Sequence, residues 1–229
     1  IQFRTLRSVY NKAIKRKCVG KEYYPFEDFH INKFNVHTDK RAISKNDVLK
    51  IISADLTGKS EYVKFSRDIF VFSYLCGGIN FCDVASLTKE NILNGRLFYV
   101  RQKTGKQINL CLTKNASAII DKYYKGGKGF LFPILDVTRH ITATQRENRL
   151  HKVLGQVDKS LKIVAQIAKV DVNLTTYVAR HSYATVLKRS GVPTSIICES
   201  LGHSSERVTQ IYLDSFENEQ IDEAMKNLL

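Results

Sequence analysis

The sequence predicts a mainly helical α+β fold in which helices surround one small antiparallel β-sheet. Three observations carry this. Apolar side chains recur at helical spacing over most of the chain. The period changes only at residues 96–101 (RLFYVR) and 107–112 (QINLCL), two strand-like runs with Thr104-Gly105-Lys106 in the turn between them. Helix-stopping residues fall between the helical segments: Gly77-Gly78, Gly191, Pro193 and Gly202.

In chain order, residues 1–19 read as one basic amphipathic helix, with Phe3, Leu6, Val9, Tyr10, Ala13 and Ile14 on one face and Gly20 as its stop. That face has no apolar partner nearby in the sequence. Residues 1–20 are therefore expected to close an N-terminal domain that is mostly absent, and the polar stretch 21–43, with Pro25, to be a linker. Starting at Ile1 with Met225 as its only methionine, the chain reads as a fragment of a longer protein. The main domain is expected over 44–216. Ser44 followed by Asp47 is a helix-start signal, with Val48, Leu49, Ile51 and Ile52 as the buried stripe. Residues 62–75 form a very apolar helix and 79–87 a short one with Val84 and Leu87 inward. The hairpin comes next, and after it helices are expected at about 114–124, 141–168, 176–190, 194–201, 205–213 and 217–228. In the last, Ile221, Ala224, Met225, Leu228 and Leu229 share a face, so 217–229 is expected to pack on this domain or on a partner.

The 36 Lys and Arg against 22 Asp and Glu leave a net charge of +14. Such a balance favours a polyanion, because Lys and Arg release condensed counterions when they neutralise phosphates. The five cysteines (Cys18, Cys76, Cys82, Cys111 and Cys198) are scattered, form no CxxC pair and have no histidine at ligand spacing. They argue against a zinc site and for reduced thiols in the cytosol. No apolar run is long enough to span a membrane.

Four local patterns occur in order: Arg101-Gln102-Lys103-Thr104-Gly105-Lys106, then Thr175-Thr176-Tyr177-Val178-Ala179-Arg180-His181, then Leu201-Gly202-His203-Ser204-Ser205, then Tyr212. The threonines read as helix caps, and Tyr177 and Arg180 share a helix face. On one unbroken helix His203 and Tyr212 would point apart; Gly202 as a stop and Ser204 or Ser205 as a new cap turn both into one cleft. These residue types suit phosphoryl transfer. A guanidinium at Arg180 forks onto two phosphate oxygens. His203 donates to the same phosphate or orients the nucleophile. Tyr212, with an ordinary pKa of about 10, loses its proton more easily in a positive site. Lys103 is suited to protonate a leaving hydroxyl. Arg139, His140, Arg146, Arg149 and His151 read as DNA-backbone contacts or solvated charges, and His181 as a residue that supports the site from behind or simply packs.

This ordered set resembles the tyrosine recombinase, or phage integrase, family over residues 44 to about 215. LGHSS followed by TQIYL matches its Gly-His box and nucleophile, TYVARHSYAT its H-x-x-R-H box, and RQKTGK the hairpin bearing its lysine. The resemblance implies the recombinase catalytic fold, with residues 1–43 the end of a core-binding domain and its linker. It also implies site-specific cleavage and rejoining of double-stranded DNA through a 3′-phosphotyrosyl intermediate, without cofactor, metal or ATP. Further implications are a tetramer on two duplexes, a terminal helix docked on a neighbouring protomer, accessory DNA-bending proteins, and a bacterial, cytoplasmic, nucleoid-associated setting. Two positions depart from the pattern. In Gly78-Ile79-Asn80-Phe81-Cys82-Asp83, Asn80 stands where the family has its first arginine, and Tyr177 stands where the box has histidine. Both look similar in some integrases of bacterial conjugative transposons. Arg101, two residues before Lys103 and so expected on the same strand face, is the proposed substitute for the missing cation. The rival readings are a DNA-binding relative without catalysis and a type IB topoisomerase.

Overall fold

The computed structural model describes residues 2–30, 42–127, 129–210 and Leu213. It divides into two compact units, residues 1–39 and 40–229.

In the first unit, α1 (Gln2–Lys15) ends earlier than expected. Lys17 takes the left-handed conformation at φ 56°, and the Cys18 N–H bonds back to the Ala13 carbonyl at 2.9 Å, closing the helix before Gly20. The apolar face does have a partner close in sequence, contrary to expectation. Phe29 packs on Phe3 with ring centroids 5.3 Å apart, and Tyr10 meets Tyr24 and Phe26 edge-on at 6.4 and 6.2 Å. Part of the stretch read as linker thus packs aromatic rings on part of this face, while Phe3, Leu6 and Val9 stay about half exposed, at 52%, 48% and 57%.

The second unit has the predicted class, helices with one small antiparallel sheet. Its helix α2 (Lys45–Ser53) starts at the predicted cap: Ser44 Oγ accepts from the Asp47 N–H at 3.1 Å and donates to its carboxylate at 2.8 Å. Helix α3 (Glu61–Leu75) is buried almost all round, through Val63, Phe65, Ile69, Phe70, Val71 and Phe72, and packs against α2, α5, α6 and α7. After it come α4 (Phe81–Ser86) and three strands, β1 (Ile92–Leu93), β2 (Arg96–Val100) and β3 (Gln107–Cys111). The sheet order is β1-β2-β3, all antiparallel, with β2 and β3 in register from Arg96↔Cys111 to Val100↔Gln107. Leu97, Tyr99 and Ile108 point into the core. Strand β1 was not expected. It turns into β2 through Asn94-Gly95, both at positive φ (50° and 72°), the backbone a two-residue hairpin needs.

Helices α5 (Lys114–Tyr123), α6 (Ala143–Ile167), α7 (Thr176–Arg189), α8 (Thr194–Ser200) and α9 (Glu206–Gln210) complete the described unit. Along α6 the residues Val153, Val157, Leu161, Val164 and Ala165 form the stripe that meets the core. Among the described residues no helix is long and apolar enough to cross a membrane. The terminal helix expected at 217–228 lies outside the described residues.

Candidate active site

Helix α7 begins at Thr176, but the expected threonine cap is absent: the Thr175 side chain makes no cap hydrogen bond. Asp158 of α6 replaces it, its Oδ1 accepting from the Thr176 N–H at 2.8 Å. One turn later Arg180 is buried, at 2% exposure. Its Nη1 donates to the Gly78 carbonyl at 2.8 Å, and its Nη2 donates to the Leu201 carbonyl. Gly78 makes the first bond possible. It sits at φ 64°, and a Cβ there would lie 2.8 Å from Arg180 Cα, so only glycine lets this corner pass so close to α7.

The second half of the site is the end of α8. Gly202 takes the left-handed position at φ 61°, and the His203 N–H bonds back to the Cys198 carbonyl at 3.0 Å, so the helix stops in a Schellman turn. The turn buries His203 to 2% exposure and aims its ring at α7, with Nε2 3.0 Å from Arg180 Nη2. Its Nδ1 lies 2.9 Å from Oγ1 of Thr209, on α9 beyond the break. The Gly202 carbonyl gathers the hairpin as well: Arg101 Nη1 donates to it at 2.8 Å and Thr104 Oγ1 at 3.0 Å.

Arg101 is therefore inside the site, buried to 3% exposure, though not by the expected route. The strand ends at Val100, and Arg101–Lys106 is a loop closed by the Arg101 N–H to the Lys106 carbonyl (2.9 Å) and the Gly105 N–H to the Arg101 carbonyl (2.8 Å). Arg101 and Lys103 thus share a turn rather than a strand face. Lys103 stands exposed on it.

Electrostatically the cluster is strongly positive. Burial first, then the charges of Arg180, Arg101, Lys103 and Lys106, push the His203 pKa down to about 3, so the ring is neutral at ordinary pH. Beneath the hairpin, Asp83 is buried at 3% exposure. Its Oδ1 accepts from the Gln102 N–H at 3.1 Å. Burial raises its pKa, against the lowering pull of that hydrogen bond and of Arg101 and Arg180. Asp83 and Thr209 are the residues that sequence reasoning did not single out. Asp83 closes the Gly78–Asp83 motif and Thr209 lies in TQIYL, but only the fold reveals what each one touches.

Asn80 and Tyr177 are brought together. Both line a cleft of 410 Å³ walled also by Phe81, Leu150 and Leu154 and including neither Arg180 nor His203. Asn80 holds the cap position of α4, yet its side chain makes no cap hydrogen bond. Tyr177 is 38% exposed and meets the His181 ring edge-on at 4.8 Å. Of the other basic residues, Arg146 and Arg149 spend their Nε donors on the carbonyls of His140 and Ile134, each at 2.9 Å. Tyr212 lies outside the described residues.

Residues 41–219 match the model of the phage integrase family. The chain belongs to that family. Among relatives of this integrase-family chain, the tyrosine recombinase XerA of Pyrococcus horikoshii is 26% identical over 201 residues, 84% of this chain and 65% of that protein. Tyrosine recombinase XerS of Streptococcus pyogenes is 25% identical over 171 residues, 71% of this chain and 45% of that one. The chain thus spans between about half and two thirds of these relatives' length. Two solved structures share its fold. One is the Tn1549 transposon integrase in complex with circular intermediate DNA (TM-score 0.62, 16% identity, 99% of this chain and 78% of that one). The other is a lambda integrase dimer bound to a COC′ core site (TM-score 0.59, 16% identity, 93% and 74%).

Proposed function

We propose that this chain is the catalytic part of a site-specific tyrosine recombinase that integrates or excises a mobile element. In this reading the Tyr212 phenol loses its proton to solvent, its Oη attacks a DNA phosphorus, and the bond to the 5′-oxygen breaks. Lys103 gives the leaving oxygen its proton, and a 3′-phosphotyrosyl link holds the bond energy for rejoining. Because that energy is kept, the reaction needs neither ATP nor, with cations already in place, a metal.

The observation that carries the reading is the convergence of Arg180, His203 and Arg101 on the Gly202 turn, in the same cluster that the charges of Lys103 and Lys106 reach. Preorganised cations in a buried site stabilise the extra charge of a phosphoryl-transfer transition state without reorganisation. Arg101 supplies a guanidinium to this cluster where Asn80 brings no charge. The partner is double-stranded DNA, as for the Tn1549 and lambda integrases in their DNA complexes. A tetramer on two duplexes, accessory bending proteins, a residual core-binding segment at 1–20 and a docking role for 217–229 belong to the same proposal.

The test is a covalent trap. Nicked duplexes enriched from a random library for binding should form an SDS-resistant adduct with the protein, and Tyr212→Phe should abolish it. Binding without adduct would favour a non-catalytic DNA-binding relative. The uncharged Asn80, whose side chain makes no cap hydrogen bond, and the cleft that it lines with Tyr177 are the observations that favour this alternative. Supercoil relaxation without strand exchange would favour a type IB topoisomerase.

A further inference from the structure

The contacts of the His203 ring decide its tautomer. A guanidinium has only donors, so across the 3.0 Å between Arg180 Nη2 and Nε2 the imidazole nitrogen must accept. A proton on Nε2, in the other neutral tautomer or in the imidazolium, would set two donors against each other. The neutral ring therefore carries its proton on Nδ1, which lies 2.9 Å from Thr209 Oγ1. Both partners are buried, Thr209 completely at 0% exposure, so bulk water does not compete for the bond. The bond also crosses a break in the chain. His203 follows the glycine that ends α8, and Thr209 sits on α9, six residues later. On one continuous helix residues six apart point to different faces, so the contact exists only because the Gly202 turn folds one element back on the other.

We propose that Thr209 is a positioning residue for this site: its hydroxyl accepts the Nδ1–H of His203, holds Nε2 as an acceptor toward Arg180, and so couples the state of the imidazole to the seating of α9. Tyr212 follows Thr209 by three residues. The segment that leads to the nucleophile thereby also sets the ring that faces the phosphate clamp. With α9 unseated, Nδ1–H loses the Thr209 acceptor, and the preference for Nε2 as the acceptor toward Arg180 weakens. The catalytic consequence rests on the recombinase reading above; the tautomer itself does not.

Valine matches threonine in shape and lacks the hydroxyl, whereas serine keeps it. Imidazole ¹⁵N NMR of the full chain should show Nδ1 as the protonated, pyrrole-type nitrogen of His203 and Nε2 as the bare, pyridine-type one. Thr209→Val should lose that pattern and Thr209→Ser should restore it, with backbone amide spectra confirming that each variant is folded. Single-turnover cleavage of a nicked duplex should slow about tenfold in T209V, the size of one lost buried hydrogen bond, and recover in T209S, with DNA affinity unchanged in both. Wild-type ring resonances in T209V would overturn the proposal, as would altered resonances with unaltered cleavage. Resonances that respond as expected in a wild-type protein that forms no adduct at all would keep the positioning role and sink the recombinase reading.

Discussion

Asp68 and Asp83 are both buried carboxylates, at 5% and 3% exposure, and their surroundings could hardly be less alike. Asp68 is neutralised on both oxygens. Arg67 donates to Oδ1 at 2.9 Å, and Lys122 and the Tyr123 hydroxyl reach Oδ2 at 2.6 and 2.8 Å, tying α3 to α5. Asp83 takes one backbone N–H, and its Oδ2 has no hydrogen-bond partner among the described residues. Around it the arginines are anchored by carbonyl oxygens of Gly78, Leu201 and Gly202, which carry only partial charge. Burying ions costs several kcal/mol each unless they are paired, so a cluster with surplus positive charge is retained at a cost in stability. The Asp68 cluster ties α3 to α5; the Gly202 cluster anchors its arginines on carbonyls, as the proposed phosphate site requires.

Conservative substitutions should separate the two most sharply. Arg180→Lys keeps the charge but loses the fork that spans Gly78, Leu201 and His203, and should slow single-turnover cleavage roughly 10²- to 10³-fold. Arg101→Lys, which removes a planar donor from the Gly202 carbonyl, should cost less, about tenfold. Unchanged cleavage in the second variant would remove Arg101 from the mechanism.

The pH dependence of stability probes the same corner. His203 has its pKa pushed down to about 3 from an ordinary 6.5, so between those values the unfolded chain binds a proton that the folded one excludes. Its contribution is full above about 6.5 and is lost as pH falls toward 3. In urea unfolding, the wild type should therefore lose more stability between pH 7 and pH 5 than His203→Gln does. Equal losses would show that the ring is not held neutral. The smallest effect on cleavage belongs to Asp68→Asn, which should lower unfolding free energy by about 2–3 kcal/mol yet leave the cleavage rate of the folded protein as it was. A matching loss of cleavage would erase the distinction between the two clusters.

Much of this was legible in the sequence wherever the signal was local. Ser44 with Asp47 marked a real cap, Gly202 marked a real stop, and the order of the RQKTGK, TYVARH and LGHSS motifs pointed to residues that the fold gathers or places close by. What escaped depends on contacts distant in sequence or on conformations a residue type does not advertise. Lys17 ends α1 in a left-handed conformation that a lysine rarely takes. Asp158 caps α7 from another helix, where two threonines in sequence promised to do so. Strand β1 is two residues long, too short for any period, although Asn94-Gly95 was the clue. Arg101 reached the site through a loop rather than a strand face, and the apolar walls of the cleft that Asn80 and Tyr177 line, Leu150 and Leu154 of α6, had no local signal.

The positive corner around Gly202 is proposed to serve a phosphate attacked by Tyr212. Digesting the trapped protein–DNA adduct with trypsin and sequencing the nucleotide-bearing peptide by mass spectrometry tests it most directly. The nucleotide remnant is expected on the peptide spanning 208–226, at Tyr212. A remnant on any other residue, Tyr177 included, would contradict it.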